Sequence, residues 1–126
     1  IQNLTDSLPP HKAFNININV YKLICGDCRA VYVGETGRQF KIRFQEHIKA
    51  YLDNKPLESA FAEHLLKRNH SPEKVTSKIL HIEGSWSRRK ALEEIEIIQH
   101  REKPDVIVLN RCIPEEGFIN KVYTRI

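Results

Sequence analysis

Two β-type segments joined by a tight turn, with a helix directly behind them, constrain the fold of this chain more than any other feature. Residues 15–25 alternate between apolar and polar side chains, and this period of two predicts a half-buried strand. Residues 30–34 are rich in β-branched and aromatic side chains and predict a second strand. The turn at Gly26-Asp27 joins the two strands as an antiparallel hairpin. Apolar residues at helical spacing predict a helix over 39–51.

The rest of the chain adds two helices and one strand to this unit. We expect a helix over 57–69 with Ser59 as its candidate cap, and a strand over 77–82. A third helix is predicted over 87–101, with Ser87 as a candidate cap. The order β-β-α-α-β-α with short connections predicts an α+β fold, in which a small antiparallel three-stranded sheet is flanked by helices.

Length and composition bound the domain organisation. The 126 residues fit one domain with one modest core. Residues 1–15 carry Pro9-Pro10 and no periodicity, so we expect a linker or N-terminal arm there and the domain over 16–126. No apolar run approaches the ~20 residues that span a bilayer, so no membrane partner is expected. The formal net charge of +4 permits a polyanionic partner without requiring one.

The cysteines favour a metal site over a disulfide framework. Three cysteines are an odd count, which fits a reducing, intracellular setting. Cys25 and Cys28 have zinc-ligand spacing, and five residues separate His64 from His70, so both pairs fit tetrahedral Zn²⁺ ligation. The alternative is a hairpin thiol pair and two helix-end histidines, because 35 residues lie between Cys28 and His64. A redox role is weaker, since nothing places the thiols at a helix N-terminus.

A second group of side chains suits phosphate chemistry. Tyr21 and Tyr32 lie on adjacent strands, and the second strand runs into Gly34, which allows a phosphate or a backbone to approach closely. Arg43 and His47 are one helical turn apart, so a guanidinium and an imidazole point the same way. Phosphodiester cleavage needs a base for water and cations for the developing charge. The alternative is that both tyrosines only pack the sheet.

These residues carry a resemblance to a known family. The tripeptides Asn19-Val20-Tyr21 and Tyr32-Val33-Gly34 stand where the GIY-YIG nuclease family has its two signature motifs, with Asn19 in place of the first glycine. The runs YVGETGRQFKIRFQEH, FAEHLLKRNH and RRKALEEIEI are similar to the GIY-YIG endonuclease domain of Penelope-like retroelements. The resemblance covers most of residues 17–111, so the expected domain over 16–126 is a GIY-YIG-like endonuclease.

The resemblance implies single-metal hydrolysis of DNA. It makes Tyr21 the favoured general base or water-positioning residue, while Tyr32 lines the site. It assigns Arg43 to stabilising the phosphate. His47 and Asn110 complete the implied catalytic set.

The resemblance also implies two kinds of metal. A glutamate on the last helix would bind Mg²⁺ or Mn²⁺, which polarises a phosphoryl oxygen. The motif frame ALEEIEI favours Glu93, and Glu94 and Glu96 are the open alternatives. A structural zinc site inserted in the nuclease fold would use four ligands: Cys25, Cys28, His64 and His70.

DNA is the implied partner. Its expected phosphate contacts are a glycine and nearby basic residues: Gly34, Arg38, Lys41, Arg88, Arg89 and Lys90. The nick would supply the 3′ hydroxyl for reverse transcription, which implies a covalently linked reverse transcriptase, its template RNA and a nuclear location. Two alternatives stay open: a non-catalytic, zinc-stabilised nucleic-acid-binding module, and a GIY-YIG repair nuclease acting on branched DNA.

Overall fold

A computed structural model of the chain describes residues 14–111. These residues form the strands β1 (Asn19–Ile24), β2 (Val31–Thr36) and β3 (Thr76–Ile82), and the helices α1 (Phe40–Leu52), α2 (Ala60–Arg68) and α3 (Trp86–Arg101). The predicted order β-β-α-α-β-α is confirmed. Most of the predicted arm over 1–15 lies outside the described residues, and so does Cys112. None of the helices between residues 14 and 111 is both long and apolar enough to cross a membrane.

The sheet is three-stranded and antiparallel, as predicted. Its order is β2-β1-β3, so the hairpin strand β1 is central and pairs with both neighbours. Tyr21 lies opposite Gly34, and Leu23 lies opposite Tyr32. The predicted start of the first strand at residue 15 is wrong. Ile18 has a φ of 44°, which breaks the extended backbone, and the strand begins only at Asn19.

Helices cover both faces of this small sheet. On one face, α1 and α2 pack on the side chains of Tyr21 and Leu23, with Phe40 and Phe61 in the same cluster. On the other face, α3 packs on apolar residues of β1 and β2: Val20, Val31 and Val33, with Ile97 from the helix. The expectation of a half-buried first strand is therefore wrong from Asn19 onward, because α1 and α2 cover the face of Tyr21 and Leu23 while α3 covers the face of Val20.

Side-chain caps fix where two helices begin. The amide of Ala62 donates to the Ser59 hydroxyl, so α2 begins after Ser59, while residues Pro56–Glu58 form a separate 3₁₀ turn. The cap of α3 is Ser85, whose hydroxyl accepts from the amide of Arg88. The sequence-based choice of Ser87 is therefore wrong by two residues.

Residues 106–109 complete the edge of the sheet at β2. Val108 pairs with Val31 in a parallel bridge. The amide of Val31 donates to the carbonyl of Ile107, and the amide of Leu109 donates to the carbonyl of Val31. This pairing carries the chain to Asn110, beside β2.

Candidate functional site

A cleft of about 430 Å³ opens beside the edge strand β2. Five of the residues selected from the sequence line it: Tyr32, Arg43, Lys90, Glu93 and Asn110. The other lining residues are Glu58, Ser59, Ala60, Glu94, Ile97 and Arg111. Side chains from β2, α1 and α3 therefore converge on one open space.

Arg43 supplies one of the cations of this cleft. Its Nη1 donates to Oε1 of Glu46 at 3.0 Å, and Arg38 donates to both oxygens of the same carboxylate. This shared ion pair holds the Arg43 guanidinium beside the cleft. Burial raises the pKa of Tyr32, and the nearby charge of Arg43 opposes that rise.

Arg111 supplies a further cation that the sequence reasoning missed. Its guanidinium donates to the backbone carbonyls of Pro56 and Leu57, and it lies 3.6 Å from a carboxylate oxygen of Glu63. Its place depends on the path of the 3₁₀ turn, which has no periodic signal in the sequence. The same turn brings Glu58 to the cleft.

The three candidate glutamates of α3 occupy different environments. Glu93 lines the cleft and accepts from Nζ of Lys90 at 2.9 Å. Glu94 lines the same cleft, and its Oε2 is buried with no hydrogen-bond partner among residues 14–111. Glu96 lies elsewhere, with its Oε2 2.7 Å from Nε2 of His81. Two of the three carboxylates therefore face the cleft.

Burial makes ionisation of the two cleft carboxylates, Glu93 and Glu94, less favourable. Burial raises the pKa of Glu93, although Lys90 opposes the rise, and burial also raises the pKa of Glu94. By contrast, the hydrogen bond from His81 lowers the pKa of Glu96. Carboxylate oxygens are hard ligands that Mg²⁺ and Mn²⁺ accept, and a cation would offset the cost of burying these charges. Glu93 and Glu94 are therefore the two carboxylates of the cleft that could ligate a divalent metal.

Tyr21 and His47 lie behind the cleft wall rather than on it. Tyr21 is fully buried, and its hydroxyl is 2.9 Å from Nε2 of His47. The other ring nitrogen of His47 is 2.7 Å from Oγ of Ser59, which does line the cleft. A Cβ added at Gly34 would lie 2.4 Å from the Tyr21 hydroxyl, so this glycine makes room for the tyrosine.

Burial sets the protonation of this inner pair. It raises the pKa of Tyr21 well above its usual value, and the neighbouring Tyr32 adds to the rise. It lowers the pKa of His47 to about 3, with a further contribution from the positive charge of Arg43. A buried hydroxyl that resists ionisation is poorly suited to take a proton from water in the cleft. Tyr21, the residue that the resemblance favours as general base, does not line the cleft.

Arg89 and Asn110, two further residues expected at the site, make hydrogen bonds within the protein. Arg89 is buried, and it donates to Oε1 of Glu35 at 2.9 Å and to the carbonyls of Glu83 and Gly84. This differs from the exposed phosphate contact expected from the sequence, because α3 turns Arg89 onto the β2 edge.

Asn110 also makes its contacts inside the protein. Its side-chain oxygen accepts from the amide of Val33, and its side-chain nitrogen donates to the carbonyl of the same residue. The side chain thereby anchors the end of the described chain to β2. Arg38, Lys41 and Arg88 are exposed, as expected for phosphate contacts.

The predicted zinc ligands form a compact cluster. Cys25 Sγ is 3.3 Å from Nδ1 of His70, and Cys28 Sγ is 3.1 Å from Nε2 of His64. The two nitrogens are 3.2 Å apart, and all four ligand atoms lie within 4.8 Å of one another. Tetrahedral zinc places its sulfur and nitrogen ligands about 3.3–3.8 Å apart. The cluster can therefore hold a metal ion such as zinc.

Local backbone features bring the two ligand pairs together. A Cβ at Gly26 would lie 2.2 Å from the carbonyl oxygen of Lys74, so only glycine lets the hairpin turn approach residues 71–74 so closely. The Asp27 carboxylate accepts from the amide of Ser71 at 2.7 Å. Asn69 ends α2 in the left-handed conformation, with a φ of 55°, and turns the chain toward His70.

Comparison of the chain with family models, with curated proteins and with solved structures gave no match.

Proposed function

We propose that this chain is a divalent-metal-dependent DNA endonuclease of the GIY-YIG type, and that the cleft beside β2 is its active site. The observation that supports the proposal most strongly is the convergence of Tyr32, Arg43 and Glu93 in that cleft. They come from three separate elements, and they combine a hydroxyl, a guanidinium and a carboxylate. That combination suits phosphodiester hydrolysis, which needs a positioned water and stabilisation of negative charge.

The acidic side of the cleft would hold Mg²⁺ or Mn²⁺. Glu93 is the proposed ligand, and Glu94 is a second carboxylate beside it, with one buried oxygen that has no partner among residues 14–111. When bound, such a metal neutralises charge on a phosphoryl oxygen and assists the leaving group.

The basic and hydroxyl side would bind and orient the substrate. Arg43 offers a planar donor fork to the phosphate, and Lys90 and Arg111 add positive charge at the rim. Tyr32 reaches the cleft, so its hydroxyl positions the attacking water better than the buried Tyr21 does. The Tyr21–His47 pair supports that wall from behind.

The wider role follows from the same proposal. As the nuclease of a Penelope-like retroelement, the domain would nick nuclear DNA and leave a 3′ hydroxyl for a covalently linked reverse transcriptase. The template RNA of the element would then be the second nucleic-acid partner. Zinc in the four-residue cluster would stabilise the domain and take no part in the reaction. A repair nuclease acting on branched DNA would use the same cleft on a different substrate.

A non-catalytic nucleic-acid-binding module is the second candidate. The burial of Tyr21 and His47 favours it, because two residues expected in the reaction do not reach the cleft. The exposed cations Arg38, Lys41 and Arg88 would serve such a module equally well.

Nicking of supercoiled plasmid with Mg²⁺ or Mn²⁺ separates the two candidates. We expect the wild-type protein to nick and Arg43→Ala to lose about 100-fold in rate, as is typical when a charge-stabilising donor is removed. Lys49→Ala is the matched control, because Lys49 is also on α1 but pairs with Asp53 at the exposed end. Equal nicking by Arg43→Ala and Lys49→Ala would contradict the site. DNA binding without any wild-type nicking would favour the binding module.

A further inference from the structure

Trp86 is a large aromatic side chain that takes no part in the hydrophobic clusters formed by residues 14–111. It is 65% exposed at the start of α3, and it is the only tryptophan in the sequence. Within residues 14–111 its ring has no aromatic partner and its indole NH has no acceptor. Burying an indole contributes much to a core, so one left in water at a helix start is available for a ligand.

The helix aligns Trp86 with the cleft. Lys90 is four residues further along α3, and Glu93 and Glu94 follow three and four residues after Lys90. Residues at these spacings share one face of a helix, and Lys90, Glu93 and Glu94 all line the cleft. Trp86 therefore extends that face by one turn. At 1.5 Å per residue, it lies about 10 Å along the axis from Glu93.

We infer that Trp86 stacks on an unpaired base of the DNA whose phosphate occupies the cleft. The inference rests on the proposed function and deepens it, because it assigns the substrate to DNA with unpaired nucleotides near the cleavage point. The helical rise between Glu93 and Trp86 places that base within a few nucleotides of the reacting phosphate.

Two physical arguments favour this ligand. Bases in an intact duplex already stack on their neighbours, whereas an unpaired base gains by stacking on an exposed aromatic ring. Charge is complementary as well, because Lys90 lies one turn from Trp86 on the same face of α3. An indole beside a cation is a typical arrangement for single-stranded nucleic acid, because the cation attracts the backbone while the ring stacks on the base.

The single tryptophan gives the inference a direct readout. Fluorescence of the full chain is titrated, without divalent metal, with a 12-nucleotide single strand, a blunt duplex of the same sequence and that duplex with a single-stranded flap. We expect the single strand and the flap to quench Trp86 and to bind more tightly than the blunt duplex. Trp86→Ala should weaken single-strand binding about 5- to 100-fold, and Trp86→Phe should retain most of it.

Leu52→Ala is the matched control, because Leu52 is 71% exposed on α1 and does not line the cleft. Unchanged fluorescence, equal binding of all three DNAs, or a Trp86→Ala protein that binds like Leu52→Ala would overturn the inference. Its failure is distinguishable from failure of the proposed function. Plasmid nicking with no response of Trp86 refutes the stacking alone, whereas stacking without nicking supports the base contact and refutes the nuclease.

Discussion

Oγ of Ser59 lies 2.7 Å from Nδ1 of His47 and also accepts the amide hydrogen of Ala62. One hydroxyl thus joins the buried Tyr21–His47 pair, the start of α2 and the wall of the cleft. The same helix α2 carries His64 and is followed by His70, so it connects the cleft with the cysteine–histidine cluster.

Replacing Ser59 should destabilise the domain. Ser59→Ala removes the cap of α2 and leaves Nδ1 of His47 without its buried partner, so we expect a loss of about 1–3 kcal/mol. Ser87→Ala is the control, since Ser87 is exposed and, within residues 14–111, its hydroxyl contacts only that of Ser85. It should cost less than about 0.5 kcal/mol. Urea unfolding measures both, and equal losses would contradict the assigned role of Ser59.

His47 should make the domain sensitive to acid. Its pKa in the folded protein is about 3, below the ordinary value of 6.5, so between these values only the unfolded chain takes up the proton. Its contribution to stability is therefore complete above pH 6.5 and is lost as the pH falls toward 3. Between pH 7.5 and 5 we expect wild type to lose about 2 kcal/mol more than His47→Gln loses. Urea unfolding at both pH values tests this, and identical pH dependence of the two proteins would contradict it.

Replacing Glu93 or Glu96 of α3 by glutamine should change the stability of the fold in opposite directions. Burial raises the pKa of Glu93, so its ionised form destabilises the fold increasingly as the pH rises above 4.5, and Glu93→Gln should be more stable than wild type at pH 7. The pKa of Glu96 is lowered by His81, so its charge stabilises the fold above pH 4.5, and Glu96→Gln should be less stable. Thermal unfolding at pH 7 gives both signs. Destabilisation by Glu93→Gln would refute the proposed cost of burial.

Zinc should hold the hairpin turn to the end of α2. We expect about one equivalent of zinc in the purified protein, and unfolding at lower temperature after chelation. Cys28 is exposed, so Cys28→Ser should be nearly neutral without a metal but should cost more than about 2 kcal/mol with one. His81→Ala is the control, because His81 pairs with Glu96 away from the cluster and its loss should leave zinc bound. Purified wild-type protein without zinc would contradict the assignment of the cluster as a zinc site.

The sequence alone predicts the helices and strands and five of the residues that line the cleft. Alternation and helical spacing give the hairpin and α1, and the Cys-x-x-Cys turn with two later histidines gives the cluster. These signals are local, because each depends only on the residue types within a short segment of the chain. Tyr32, Arg43 and Glu93 were identified by motif, and the fold brings them to one cleft.

The sequence does not predict which side chains of a helix are buried. Arg43 and His47 are one turn apart, but α2 packs over His47, with the ring of Phe61 6.5 Å away, and leaves Arg43 at the cleft. Arg89 and Lys90 are adjacent, yet about 100° around α3 separates them, and only Lys90 reaches the cleft. Which face of a helix is covered depends on tertiary packing, and no local pattern records it. Arg111 was missed because its place depends on the path of the 3₁₀ turn over Pro56–Glu58, which has no periodic signal.

Metal-dependent nicking by three matched variants shows which glutamate of α3 serves the reaction. Glu93→Gln, Glu94→Gln and Glu96→Gln each exchange one carboxylate for an amide on the same helix. With Mg²⁺ on supercoiled plasmid, we expect Glu93→Gln to lose at least about 100-fold in nicking rate, since a metal ligand is removed. Glu94→Gln should lose less, and Glu96→Gln should nick like wild type, because Glu96 faces His81 instead of the cleft. Full nicking by Glu93→Gln, or a loss confined to Glu96→Gln, would contradict the account.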